Sequence, residues 1–134
     1  MALPGLVLAV ALLVYLECVG YQLLGWDDID YVTENPVLRL PLGEFLARVT
    51  TDFVPRAHGD FLPATLLTYW LEFQAVGLRP WLYHLSNVAL FAAACVVLWH
   101  VLARITERRW LALLVALLFA VHPLNVEAVA WVSE

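Results

Sequence analysis

Leu3-Pro4-Gly5-Leu6-Val7-Leu8-Ala9-Val10-Ala11-Leu12-Leu13-Val14-Tyr15-Leu16-Glu17-Cys18-Val19-Gly20-Tyr21-Gln22-Leu23-Leu24 contains only two strongly polar side chains, Glu17 and Gln22. At 1.5 Å per residue a helix over this run reaches roughly 33 Å, enough to cross the hydrocarbon core of a bilayer. The next stretch is of another kind: Gly25-Trp26-Asp27-Asp28-Ile29-Asp30-Tyr31-Val32-Thr33-Glu34-Asn35-Pro36. Asp27, Asp28 and Asp30 therefore emerge where a membrane helix meets water. Trp26 and Tyr31 bracket them, as suits aromatic side chains that prefer the interface. Carboxylates held at that level suit proton chemistry on a water-borne substrate whose reaction partner is carried in lipid.

Composition agrees with a membrane setting. Hydrophobic residues make up 63% of the 134, and mean hydropathy is +0.82, against roughly 45–50% apolar in ordinary soluble domains. Seven arginines, no lysine and twelve acids leave a formal charge of −5, which excludes the basic footprint of a nucleic-acid binder. Cys18 and Cys95 both lie inside apolar runs and read as small buried hydrophobes rather than a redox pair. No Lys or Arg occurs in residues 1–16, so the basic region of a signal peptide is missing. The first run, residues 3–24, is expected to stay as a retained span.

A second span is expected over 81–102, and a linker at 103–109 carries Arg104, Arg108 and Arg109. Three of seven arginines in that short linker place it in the cytoplasm by the positive-inside rule. The long segment 25–80 then belongs outside or in a lumen, with the N-terminus inside. A third apolar stretch, 110–121, reaches roughly 18 Å as helix, too short to span. His122 and Pro123 follow, then a second apolar run interrupted by Asn125 and Glu127. Two forms fit: a helix broken at His122-Pro123 that restarts beyond the proline and lines a cavity, or one proline-kinked helix. The fold class expected is all-α integral membrane, with about three transmembrane helices and short interfacial helices in a long first external loop.

That loop has order of its own. Leu42, Phe45, Leu46 and Val49 fall at helical spacing with Glu44 and Arg48 opposite, an amphipathic helix suited to lying on the outer leaflet. Residues 55–60, with Arg56 and His58, read as a polar loop. Pro63 opens another helix, short for a span and either re-entrant or interfacial, which Gly77 and Pro80 close.

Three blocks carry a resemblance to a known family. Trp26-Asp27-Asp28-Ile29-Asp30-Tyr31-Val32-Thr33-Glu34-Asn35-Pro36 is similar to the first external loop of the type C glycosyltransferases. These are multispanning enzymes dependent on lipid-phosphate sugars, and the match is to the tetratricopeptide-repeat-linked transmembrane O-mannosyltransferases and their bacterial relatives. Gly77-Leu78-Arg79-Pro80-Trp81-Leu82-Tyr83-His84-Leu85-Ser86-Asn87 resembles the start of their second span. Phe119 to Glu134, with His122-Pro123 and Glu127-Ala128-Val129-Ala130, resembles their His-Pro-x-x-x-Glu-x-Val-Ala block. Each block is weakly specific; three in order across nearly the whole chain are more so. One departure stands out: the family places a basic residue before the mid-loop proline, whereas Leu62 precedes Pro63. Arg56 and His58 are the candidates to meet a donor phosphate in its place.

The resemblance implies transfer of a sugar, with mannose a candidate, from a polyprenyl- or dolichyl-phosphate carrier to a hydroxyl acceptor on protein. The reaction is expected to invert and to occur at the external or lumenal face of a bacterial inner membrane or the endoplasmic reticulum. It needs a base for the acceptor proton, and partial burial with a like-charged neighbour raises a carboxylate's proton affinity. By the family's motif Asp27 is expected as base and Asp28 as its positioning or tuning partner. Two neighbouring carboxylates also suit a divalent cation, but two ligands do not make a site, so metal-free and metal-assisted transfer both stay open. His122 and Glu127 are expected at the substrate or in the cavity wall; His84 is a further substrate-binding candidate, and it and Asn87 also fit the role of inter-helix hydrogen-bonders. The bland reading of the Asp pair is a solvated cap that ends the first span.

The competing class is a transporter or a noncatalytic membrane scaffold. A transporter places paired charges at the midplane and shows an internal repeat; here the pair lies at the edge and no repeat is visible. Three spans are few to enclose a lipid-linked donor, and relatives continue into further helices and often a soluble repeat domain, so a longer parent protein is expected.

Overall fold

The structure, a computed structural model, describes residues 2–50 and 61–133. Among these residues the chain is helical without strands, in chain order α1 (Ala2–Tyr15), α2 (Leu42–Val49), α3 (Pro63–Val76), α4 (Pro80–Thr106), α5 (Arg109–Ala120) and α6 (Asn125–Ala130). Tight 3-10 turns cover Leu16–Gly20 and Pro36–Arg39, and a π-helical turn covers Ile29–Thr33. Arg56 and His58 lie outside the described residues.

Two compact units divide the chain. In the first, residues 2–21 and 84–132, α1 packs against α5. The seam is built from small side chains: Ala112, Ala116 and Ala120 recur every fourth residue along one face of α5, and all are buried with Val7 and Ala11 of α1 and Ala92, Cys95 and Trp99 of α4. Where lipid removes the hydrophobic drive between helices, close approach over small residues supplies dispersion contact instead. Phe91 adds ring packing, edge-on to Tyr15 with centroids 5.1 Å apart and stacked on Phe119 at 5.7 Å. Ala116→Leu is expected to force α5 off this seam and to cost about 1–3 kcal/mol, read as a lower midpoint of thermal unfolding in detergent; an unchanged midpoint would refute the seam.

The opposite faces are greasy. Leu13 is 73% exposed, Ile105 75% and Trp110 73%, with Leu90, Val97, Leu114 and Leu118 alongside. Continuous exposed apolar surface on helices that are bilayer-length by residue count, Ala2–Gly20 and Pro80–Thr106, belongs in lipid rather than water. The chain is an all-α membrane protein. Two of the three expected spans are helices long enough to cross a bilayer by residue count; α5, at 12 residues, is too short to cross by itself.

The boundaries differ from the hydropathy reading in two places. Helical structure ends at Gly20 rather than Leu24, because Tyr21 turns to extended backbone at φ −77°, ψ 159°. α4 runs on to Thr106, so the expected linker over 103–109 shrinks to Glu107 and Arg108. Glu107 takes the turn at φ +57°, and Thr106 tightens it by accepting the Arg108 N–H at 3.2 Å. Arg104 stays helical because a long side chain carries its charge away from an apolar helix end without unwinding it.

The second unit comprises the described part of residues 22–83 together with Ser133. Here the Pro36–Arg39 turn and α2 fold onto α3. The Trp70 indole N–H donates to Leu40 O at 2.9 Å and the Gln74 amide to Leu38 O at 3.1 Å. The Phe45 ring stacks on Trp70 with centroids 5.2 Å apart. The amphipathic face of α2 is thereby shared out: Phe45 and Val49 are buried, while Leu42 and Leu46 stay exposed. Pro63 sits at the start of α3, and Gly77 ends it at φ +66°, a conformation that costs an L side chain and suits glycine.

Candidate active site

The acidic stretch forms a short helical turn whose first residues are Asp27 and Asp28. The Ile29 N–H donates to Trp26 O at 3.0 Å, and the Glu34 N–H to Ile29 O at 2.8 Å. Asn35 then acts twice. Its side-chain oxygen accepts the Val37 N–H at 3.0 Å, capping the turn that Pro36 begins, and its amide donates to Tyr31 O at 3.1 Å. Arg39 donates to the carbonyls of Asn35 and Thr33, both at 3.0 Å, and lies over the Phe73 ring at 5.4 Å. The Asn-Pro end of the motif is thus a brace that fixes the path of the acidic turn.

The two neighbouring aspartates have different surroundings. Asp28 is fully buried. Its Oδ2 accepts the Leu24 N–H at 2.7 Å, and its Oδ1 accepts the Ser133 N–H at 3.1 Å, across 105 positions of sequence. A carboxylate held by two amide donors is fixed in position. Asp27 is partly exposed, and among the described residues no hydrogen bond or ion pair engages its carboxylate. Its neighbour Trp26 is 77% exposed.

Two groups near this turn escape the sequence reading. Glu72 is buried in α3, and Tyr69 one turn earlier is buried with it. Burial first, and then the Glu72 and Asp28 carboxylates, push the Tyr69 phenol well above its usual range, so its O–H stays a donor. Tyr83 completes the patch, donating to Gly77 O at 2.9 Å and lying 6.2 Å from the Tyr69 ring. The available signal was a single acid in an otherwise uncharged apolar helix, since polar groups in such positions are costly and hence functional or paired.

The remaining candidates lie in the first unit. His84 is buried, edge-on to Tyr21 with centroids 6.2 Å apart. The Asn87 amide donates to the Trp131 and Val132 carbonyls at 3.1 and 3.4 Å, which ties α4 to the segment just after α6. Between α5 and α6 the chain breaks: the His122 N–H reaches Phe119 O, and the Asn125 side chain donates to the same carbonyl at 2.6 Å. His122 Nδ1 accepts the Leu124 N–H at 3.2 Å. Of the two forms open in the sequence, the broken helix is the one found, with freed carbonyls covered locally. His122 and Glu127 both face outward. Among the described residues no group of three or more His, Cys, Asp or Glu is placed to hold a metal ion.

Comparison with known proteins adds an independent line. No family model matches, and no solved structure matches. Among curated proteins, human Protein O-mannosyl-transferase TMTC1 is 32% identical over 123 residues, covering 84% of this chain and 14% of its own length. Mouse Protein O-mannosyl-transferase TMTC3 is 38% identical over 114 residues, covering 80% of this chain and 12% of its own length. The Caenorhabditis elegans Protein O-mannosyl-transferase F38B6.6 is 28% identical over 136 residues, covering 93% of this chain and 19% of its own. The chain thus spans less than a fifth of the length of these curated relatives. Over most of its own length, this chain is a homologue of the TMTC proteins named protein O-mannosyl-transferases.

Proposed function

We propose that this chain supplies the acidic external loop of a membrane glycosyltransferase that moves a sugar, mannose on the strength of its relatives' names, from a polyprenyl- or dolichyl-phosphate carrier to a hydroxyl on protein. The observation that carries the reading is the division between the two aspartates: Asp28 bound to two backbone amides, Asp27 left unengaged among the described residues.

Asp27 then acts as the general base. Its carboxylate takes the proton of the acceptor hydroxyl while that oxygen attacks the anomeric carbon. The bond from that carbon to the carrier phosphate oxygen breaks, the lipid phosphate leaves with the electron pair, and the configuration inverts. Asp28 positions the turn. The exposed His122 and Glu127 are assigned to the donor phosphate, the acceptor or the cavity wall, and His84 to substrate binding. Arg56 and His58 are proposed to receive the donor phosphate in place of the cation missing at Leu62.

The proposed topology puts Asp27 outside the cytosol and the Arg104, Arg108 and Arg109 cluster inside. The test is an assay of the open reading frame that carries this chain, in membranes, with radiolabelled mannose supplied on polyprenyl phosphate or as a nucleotide sugar. Label reaching protein from the lipid-linked donor supports the reading. Label arriving only from the nucleotide sugar, or impermeant thiol reagents reaching cysteines at positions 27 and 28 from the cytosolic side, would overturn it.

A further inference from the structure

A second basic feature lies within the first unit and uses none of the residues assigned to transfer. A half-open cavity of about 360 Å³ is lined by Leu3, Pro4, Trp99, His100, Ala103, Arg104 and Arg109. His100 and Arg104 stand one turn apart on α4, and Arg109 begins α5. The Trp99 indole N–H donates to Arg109 O at 3.4 Å, and the Trp99 ring is edge-on to His100 at 4.7 Å, which joins the cavity walls. His100 Nδ1 lies 2.9 Å from Val96 O; a carbonyl only accepts, so Nδ1 carries the proton, and the guanidinium groups are left as the donors for an anion. Among the described residues no ion pair or hydrogen bond engages either guanidinium. The first amides of α5 add to the positive field, since Arg108 gives no side-chain cap.

From this geometry we infer that the cavity binds a phosphate-bearing anion, the headgroup of an anionic phospholipid. Two guanidinium forks match phosphate oxygens by charge and by shape. The source is lipid because Leu3, Pro4 and Ala103 give the same cavity an apolar wall. It also sits where α1 begins and α4 ends, the terminal turns of two bilayer-length helices, at the level of headgroups.

The test titrates the full chain in neutral detergent with phosphatidic acid, phosphatidylcholine or inorganic phosphate, counting bound molecules by native mass spectrometry. Phosphatidic acid is expected to bind in preference to phosphatidylcholine. Arg104→Gln with Arg109→Gln should weaken it about 30-fold, as two screened lipid-surface charges would. The double Lys variant should keep most of the binding, and Arg48→Gln with Arg79→Gln, which removes two arginines elsewhere, should leave it unchanged. Equal binding of phosphatidylcholine, equal loss in the Arg48/Arg79 pair, or no loss in the Arg104/Arg109 pair would overturn the site. Inorganic phosphate binding as tightly as the lipid would overturn the lipid assignment. Circular dichroism separates lost binding from lost fold.

Discussion

Asp27→Asn is expected to lower sugar transfer by about 100- to 10,000-fold, the range set by losing a general base, while membrane insertion and loop folding stay as they were. Asparagine has nearly the shape of aspartate, and among the described residues the Asp27 carboxylate makes no hydrogen bond whose loss would disturb the turn. The effect should fall on turnover rather than on donor binding, since the base acts as the acceptor oxygen attacks. Asp27→Glu keeps the carboxylate and displaces it by one methylene, so it should retain activity between wild type and the Asn variant. The measurement is label transferred from the lipid-linked donor, beside a protease-protection map of the same membranes. Wild-type transfer by Asp27→Asn would remove the base from this position. A changed protection map would make Asp27 a structural residue and return the pair to the role of a cap.

What was legible in the sequence followed from local chemistry. Pro63 and Gly77 bound α3 because a fixed φ and a positive φ are properties of single residues. The apolar runs gave the two long helices for the same reason. The interruption at His122-Pro123 was half legible: proline marks the place, but the Asn125 side chain that caps the freed Phe119 carbonyl decides for the broken form. The end of the first helix was hidden, because Leu23 and Leu24 are as apolar as the residues before them. The Leu24 N–H instead meets the Asp28 carboxylate, which a hydropathy count does not register. The contrast between Asp27 and Asp28 was hidden more deeply, since one of its causes is an amide 105 positions away. Glu72 was overlooked because it belongs to no motif; only its isolation in an apolar helix marked it.

Asp28→Ala is expected to destabilise the acidic turn by about 1–3 kcal/mol, because the part-buried Leu24 and Ser133 N–H groups lose a charged acceptor. Those two amides should exchange with deuterium faster, while the amides along the α1–α5 seam keep their protection. Asp28→Asn tests the count of bonds rather than the charge alone: its one carbonyl oxygen can serve one of the two amides, and its NH2 faces the other donor to donor. It should therefore lose roughly half as much stability as alanine. Transfer should fall in both variants in step with lost protection, whereas Asp27→Asn should lose transfer with the Leu24 and Ser133 amides still protected. Those opposite patterns separate the residue that moves a proton from the residue that holds the turn in place. If Asp28→Ala leaves both amides as protected as in the wild type, Asp28 does not anchor the turn, and the reason for assigning the chemistry to Asp27 alone goes with it.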